Sequence, residues 1–420
     1  YLDSIDRKNN KLKFGKLLFG YTHANSWKRT SYTVESPINT IQFNTVQGTN
    51  VHLGLGYDKA FDKERNRRLS LKTKVNYGFS EEKFRASGEL NYHFDPKHFA
   101  RLTLSGGRET AQFFEANPIS TLINTSYSLF FRENHFRLCD KTFVRGEFRR
   151  EISNGLLFFA IGQWARRAPL VNHSDYSFFH RDDREYEPNV PENDRIGDGE
   201  LSQSEAMSVG LSLRIRLKQK YLDYPDAKYI MGSKFPDIWV HYRGGVPLGN
   251  ATADYGRVSA VLSKSDIALG LGGVSSFRLE AGKFLYDKQL YFQDFKHFLG
   301  NETNIGNPEQ YLSGFKRLPY YTYSTRNAWL EGHWEHNFKG FLTDKLPLVK
   351  KLGWSLVAGA AFLYTSEEKD YTELSLGLDN IGFGVARLFR FDVVSSFKKG
   401  KYDGTGWLIG IRLPTGEISL

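Results

Sequence analysis

The stretch LSLKTKVNYGFS, residues 69–80, sets Leu69, Leu71, Val75, Tyr77 and Phe79 against Ser70, Lys72, Lys74, Asn76, Gly78 and Ser80, with Thr73 the one interruption. Side chains alternate across a strand, so one face of this segment is apolar and the other wet along its whole length. The pattern returns at 84–94, where Phe84, Ala86, Leu90, Tyr92 and Phe94 oppose Arg85, Ser87, Glu89, Asn91 and His93. It returns again at 207–218, where Met207, Val209, Leu211, Leu213, Ile215 and Leu217 oppose Ser208, Gly210, Ser212, Arg214, Arg216 and Lys218. Strands of soluble proteins typically run about 5–6 residues, whereas tilted membrane strands need about 9–11. The length of the alternation therefore points to an all-β fold, a transmembrane antiparallel β-barrel.

Averaged hydropathy misses such a protein, because lipid-facing and lumen-facing residues cancel. The apolar stretch GLLFFAIGQW from Gly155 is far shorter than the run of about 18 that a membrane helix requires. Turn and alternation signals together predict about sixteen strands, near 11–21, 50–61, 68–80, 83–94, 98–108, 138–150, 155–168, 206–219, 236–245, 256–271, 274–286, 326–338, 351–363, 371–380, 386–398 and 405–413. One barrel then spans residues 1–420, with long loops expected near 22–49, 109–137, 169–205 and 287–325 after odd-numbered strands and short turns after even-numbered ones. Short periplasmic turns and long outer loops are the usual asymmetry of these barrels. The expected location is the outer membrane of a Gram-negative bacterium, with both termini periplasmic.

The formal net charge of +10 raises nucleic acid as a partner. Lys and Arg are spread along strands instead of forming a recognition helix, and KERNRR at 63–68 fits a solvated turn, so nucleic acid is not expected. The single cysteine, Cys139, makes no disulfide and no zinc signature. The acidic loop HRDDREYEPNVPENDRIGDGE lacks calcium-loop spacing, and no Gly-x-Ser-x-Gly elbow occurs. In EGHWEHNF, alternation places Glu331, His333 and Glu335 in the lumen and His336 on the other face, which splits a candidate metal set. No enzyme activity, catalytic residue, metal or cofactor is expected.

The segments FNTVQG (43–48), RRAPLVN (166–172), YPDAKYIMGSKFP (224–236), FQDFKHFLGNET (292–303), LPYYTYST (318–325), HNFKGFLTDKLPLVKKL (336–352) and YTELSLGLDNIG (371–382) resemble, in this order, a family of uncharacterised outer-membrane proteins. Members usually carry a carboxypeptidase-regulatory-like domain ahead of the barrel. The barrel in turn is similar to the BamA/TamA superfamily, which has sixteen strands and inserts or translocates proteins. A loop between strands eleven and twelve of that superfamily folds into the lumen with an Arg-Gly-aromatic tip. FQDFKHFLGNET falls in that loop here, but Arg317 is followed by Leu318.

The resemblance implies a non-enzymatic role in inserting, exporting or assembling outer-membrane or surface proteins. Implied partners are outer-membrane lipid including lipopolysaccharide, client barrels and accessory lipoproteins or barrels. The alternatives are a small-solute pore and a structural subunit of a larger complex. Phe292, Phe295 and Phe298 are expected to form a small core of a lumen plug, with Asp294, Lys296, His297 and Asn301 bonded to the wall. Lys72, Lys74, Arg214, Arg216 and Lys218 are expected in the lumen, and Leu71, Val75, Leu211, Leu213 and Ile215 toward lipid. A lateral seam between the first and last strands would involve Phe14, Leu18, Gly406, Ile409, Ile411 and Leu413, because glycines weaken strands.

Overall fold

The computed structural model describes the chain apart from residues 1, 13–19, 37–39, 63–66, 117–118, 180–183, 194–201, 226, 346, 384–385 and 413–420. The short strands near the N-terminus are β1 (Tyr21–Asn25), β2 (Thr30–Val34) and β3 (Ile41–Asn44). Long strands follow as β4 (Gly48–Ala60), β5 (Arg68–Gly78), β6 (Lys83–Asp95), β7 (Ala100–Gln112), β8 (Leu138–Ser153), β9 (Leu156–Pro169) and β10 (Ser204–Arg216). A small separate hairpin, β11 (Lys220–Asp223) and β12 (Lys228–Gly232), precedes β13 (Asp237–Gly245), β14 (Asp254–Ala268) and β15 (Val274–Gln289). The chain closes with β16 (Ile305–Gly306), β17 (Ala328–Asn337), β18 (Ser355–Thr365), β19 (Lys369–Phe383), β20 (Ala386–Lys398) and β21 (Lys401–Ile411). Among the described residues, three short helices, α1 (Leu2–Asn9), α2 (Thr121–Phe131) and α3 (Pro347–Leu352), lie outside the sheet.

Among the described residues, all strands except β11 and β12 join one sheet of 19 strands. Each long strand pairs antiparallel with its sequence neighbours, as in Leu71↔Leu90 between β5 and β6 and Val394↔Gly406 between β20 and β21. The chain is thus an antiparallel transmembrane β-barrel. Fifteen long strands coincide with those read from alternation, and β1, β2, β3 and β16 bring the sheet to 19.

The segment 22–49 is a correction. It is no outer loop but holds β1, β2 and β3. β2 pairs with Leu55–Lys59 and β3 with Gly48–Val51, so the two share one edge of β4 as a broken strand. Each is only 4 or 5 residues long, too short for periodicity to register. Three long connections, between β7 and β8, β9 and β10, and β15 and β17, lie at one end of the sheet.

The outward face carries a continuous apolar surface, with Leu55 at 47% exposure, Leu104 at 48%, Val144 at 64% and Leu376 at 55%. A water-soluble protein rarely shows so much apolar area in one patch. Phe61, Tyr92, Phe94 and Phe148 contact one another in series near the turn end, in the manner of an interfacial girdle. Lys72 and Lys74 line an aqueous cavity inside. Leu71 and Leu211 are exposed on the outside, and Val75, Leu213 and Ile215 are half-buried on the same strands. Cysteines replacing Lys72 and Lys74 should therefore react with a membrane-impermeant thiol reagent and cysteines replacing Leu71 and Leu211 should not. Labelling of the second pair alone would reverse the faces.

Candidate functional site

The connection from Gln289 to Ala328 cannot satisfy its backbone by strand pairing, so its polar groups must find partners elsewhere. It does so inside the lumen. A 3-10 turn at Phe292–Asp294 turns the chain inward. A bridge between Lys296 and Thr325 closes the base, with N–H···O bonds of 2.9 and 3.0 Å. A second 3-10 turn, Pro308–Gln310, starts from Asn307, whose side chain accepts from the Glu309 N–H.

Three ionic contacts fix this loop to the wall. Asp294 receives both terminal nitrogens of Arg167 on β9, at 3.1 and 2.7 Å, and the Tyr255 hydroxyl on β14 at 3.3 Å. Lys296 Nζ donates to Glu280 on β15 at 2.7 Å and stands 3.6 Å from Glu331 on β17. Lys316 Nζ donates to Asp392 on β20 at 3.0 Å and to Ser375 on β19 at 2.9 Å. The N–H groups of Lys316 and Arg317 add bonds of 2.8 and 2.7 Å to Glu373. The Lys316 and Asp392 side chains are 7% and 0% exposed, so the pair is desolvated and its geometry matters. Burial lowers the Lys316 pKa against the opposing pull of Asp392.

Apolar packing completes the fit in two separate cores. Phe292 and Phe295 pack with Tyr320, Tyr321, Phe113, Phe136 and Leu138, while Phe298 packs with Phe315, Leu318, Tyr323, Trp329 and Tyr371. The expected single three-phenylalanine core is therefore a correction, because the backbone bridge at Lys296 sends the rings to opposite sides. His297 and Asn301 are corrections too. His297 Nδ1 lies 2.7 Å from Ser324 Oγ within the loop. The Asn301 carboxamide accepts from Thr303 N–H at 3.0 Å and donates to Ile305 O at 3.3 Å, a local turn that leaves nothing for the wall. Burial, then Arg257, pushes the His297 imidazole down to about 3.

The loop also reaches the last strand. Ile305 and Gly306 form β16 and pair in parallel with Ile409 and Gly410 of β21, and Ile409 N–H donates to Asn304 O at 2.9 Å. Small inward residues permit this approach. A Cβ on Gly410 would lie 2.6 Å from Pro308, and one on Gly406 3.0 Å from the Arg317 guanidinium. Gly406 thus makes room for the loop, a role apart from weakening a seam. Ile409 faces outward, and Ile411 ends the strand. Phe14, Leu18 and Leu413 lie outside the described residues.

The other residues singled out in the sequence sit as follows. Glu331 bonds His333 at 2.8 Å, and Glu335 pairs with Arg390 at 2.8 Å, all within the lumen. Arg214 and Arg216 project from β10, the latter with its Nε 2.7 Å from Asp237. Lys218 is a correction. β10 stops at Arg216, and Lys218 sits in the turn beyond with φ 49°, near the Phe235 ring. Sequence reasoning passed over Arg167, Lys316, Glu373, Arg390 and Asp392. The inward acids Glu373 and Asp392 on two predicted strands were the available signal. Among the described residues, no group of three or more His, Cys, Asp or Glu is placed to hold a metal ion.

Beside the loop, the β4–β8 side of the lumen keeps cavities of about 670 and about 1120 Å³ lined mostly by polar side chains. A family model matches residues 15–378. The chain belongs to that family, the C-terminal domain of a family of unknown function, DUF5686. Among curated proteins, none matches the sequence. Similar solved structures include BamA from Haemophilus ducreyi lacking POTRA domains 1-3, at 10% identity and TM-score 0.45, covering 91% of this chain and 70% of that one. CdiB from Acinetobacter baumannii is similar at 11% identity and TM-score 0.39, covering 88% and 58%. OccK10 (OpdN) of Pseudomonas aeruginosa gives 10% identity and TM-score 0.30, covering 90% and 98%.

Proposed function

We propose that the chain is an outer-membrane barrel that assists the insertion, export or assembly of outer-membrane or surface proteins without covalent catalysis. The supporting observation is the edge of β21. Among the described residues, β21 is paired on one side with β20 along Phe389–Lys398, and on the other the inner loop contributes the two-residue strand β16 at Ile409 and Gly410. A single hydrogen bond adds only about 0.5–1.5 kcal/mol net, so the β16 contact is cheap to exchange and the β20 pairing is not. An edge held from within by so short a strand can pass to a client strand by β-augmentation. Clients, accessory lipoproteins and lipopolysaccharide are the partners this reading requires.

A disulfide between cysteines replacing Ile305 and Ile409 tests it. The locked protein should fold and reach the membrane, yet leave the outer-membrane proteome as depleted as removal of the protein does, with recovery on reduction. Normal outer-membrane composition in the locked strain would reject the edge mechanism. The cavities on the β4–β8 side favour a second reading, a path for small solutes. Under that reading, depletion lowers uptake of a solute and spares the proteome.

A further inference from the structure

Most lumen arginines have a carboxylate. Arg85 meets Glu81 and Asp140, Arg145 meets Glu147, Arg167 meets Asp294, Arg243 meets Glu115 and Arg390 meets Asp392. A row near the turn end of the barrel breaks this pattern. Strand register sets Arg68 opposite His93, His93 opposite Arg101, and Arg101 opposite Arg149 across β5, β6, β7 and β8. The row runs on through Phe159 of β9 to Ser212 of β10, and Arg214 stands two residues beyond Ser212 on the same face, between Leu157 and Trp239. These residues keep the strand parity of Lys72, Asn91, Thr103, Glu147 and Ser212, which line lumen cavities.

No carboxylate in the described residues bonds Arg68, Arg101, Arg149 or Arg214. The acids at this level are engaged elsewhere, Glu151 with Lys228, Asp237 with Arg216 and Asp95 with Arg150. Like charges placed opposite each other across strands are destabilising, and guanidinium groups do not deprotonate to relieve it. Rings hold two of the cations in place instead, Arg149 at 5.5 Å from the Phe159 centroid and Arg214 at 5.7 Å from Trp239. Arg149 Nε and Arg214 Nε are buried without a hydrogen-bond partner, as are Asn91 Oδ1 and Thr103 Oγ1 beside them. Access exists, since Arg101, Asn91 and Thr103 line the cavity of about 670 Å³.

We propose that Arg68, Arg101, Arg149 and Arg214, with His93, form a binding site for a phosphate-bearing anion on the lumen wall. Planar guanidinium forks match phosphoryl oxygens in bidentate fashion. Four permanent charges to which no described carboxylate is bonded call for a multiply charged group more than for one carboxylate. The phosphate comes from a soluble ester or from a lipid headgroup, and the chemistry recognised is the same.

Calorimetric titration of the detergent-solubilised chain with inorganic pyrophosphate, and separately with a diphosphorylated lipid in mixed micelles, tests the site. Saturable binding of either probe is expected, weakened about tenfold or more in Arg101→Gln/Arg149→Gln. Lys72→Gln/Lys74→Gln, on the same wall above the row, removes equal charge and should change affinity less than about twofold if binding is local. Arg101→Lys/Arg149→Lys keeps the charge without the fork, guards against a folding defect, and should also weaken binding. Binding of pyrophosphate alone assigns a soluble ester, and of the lipid alone a headgroup. Equal losses from the arginine and lysine pairs, or no saturable binding of either probe, would overturn the proposal.

Discussion

Replacing Arg167 by methionine should cost the docked inner loop about 3–5 kcal/mol, because it strands the Asp294 carboxylate in a buried setting. The Arg167 and Asp294 side chains are 5% and 2% exposed, and among the described residues the hydrogen bond left to the Asp294 carboxylate is that of the Tyr255 hydroxyl at 3.3 Å, with Arg257 bonded to the Asp294 carbonyl instead. The expected readouts are protease cleavage between residues 300 and 316 and a rise in single-channel conductance of the purified barrel. The double variant Arg167→Met/Asp294→Leu should recover most of the docking, since well-packed apolar replacements of a buried pair are often neutral. Protection and conductance in Arg167→Met equal to the unaltered protein would mean that the loop is held by its apolar cores and its lysine contacts without need of the Arg167–Asp294 pair.

Acid should loosen the same loop. His297 has Ser324 at one ring nitrogen, lies among Phe114, Phe292 and Tyr321, and has Asp294, Lys296 and Arg257 as its charged neighbours. Its pKa falls from 6.5 to about 3 in the docked state. The undocked loop therefore binds a proton first as pH drops. The contribution of the neutral ring is fully present above pH 6.5 and declines progressively toward pH 3, by about 1.4 kcal/mol per pH unit. Conductance measured from pH 7 to pH 4 should rise in the unaltered protein. His297→Phe keeps the ring contacts and removes the titration, so its rise should be much smaller. An identical acid response in the two proteins would assign the opening to carboxylates.

The barrel was legible because alternation is a property of each strand taken singly. Leu71 and Lys72 announce opposite faces without reference to any other strand. The inward course of residues 290–327 was legible from length, since so long a connection needs partners that a sheet edge does not supply. What was not legible depends on juxtaposition across strands. Arg68, Arg101 and Arg149 lie far apart in sequence, and only the registers of β5 to β8, set across two short turns and one long connection, bring them level. The separation of Phe295 from Phe298 depends on the bridge from Lys296 to Thr325, nearly thirty positions away. β2 and β3 were missed because each occupies half an edge, and a half-strand carries too few alternations to stand out from a loop.

The pairing of β16 with β21 links residues 305–306 to 409–410 across about a hundred positions of chain. Contacts that distant form late, after loop-closure entropy has been overcome. The wall that receives Lys316 and Arg317 comes from β19 and β20, and the surface that receives Pro308 and Tyr311 comes from β21. None of that wall precedes the loop in synthesis. The loop must therefore wait, at least in part undocked, until the C-terminal hairpins have arrived, and the interior of this barrel is the last region of the molecule to become solid.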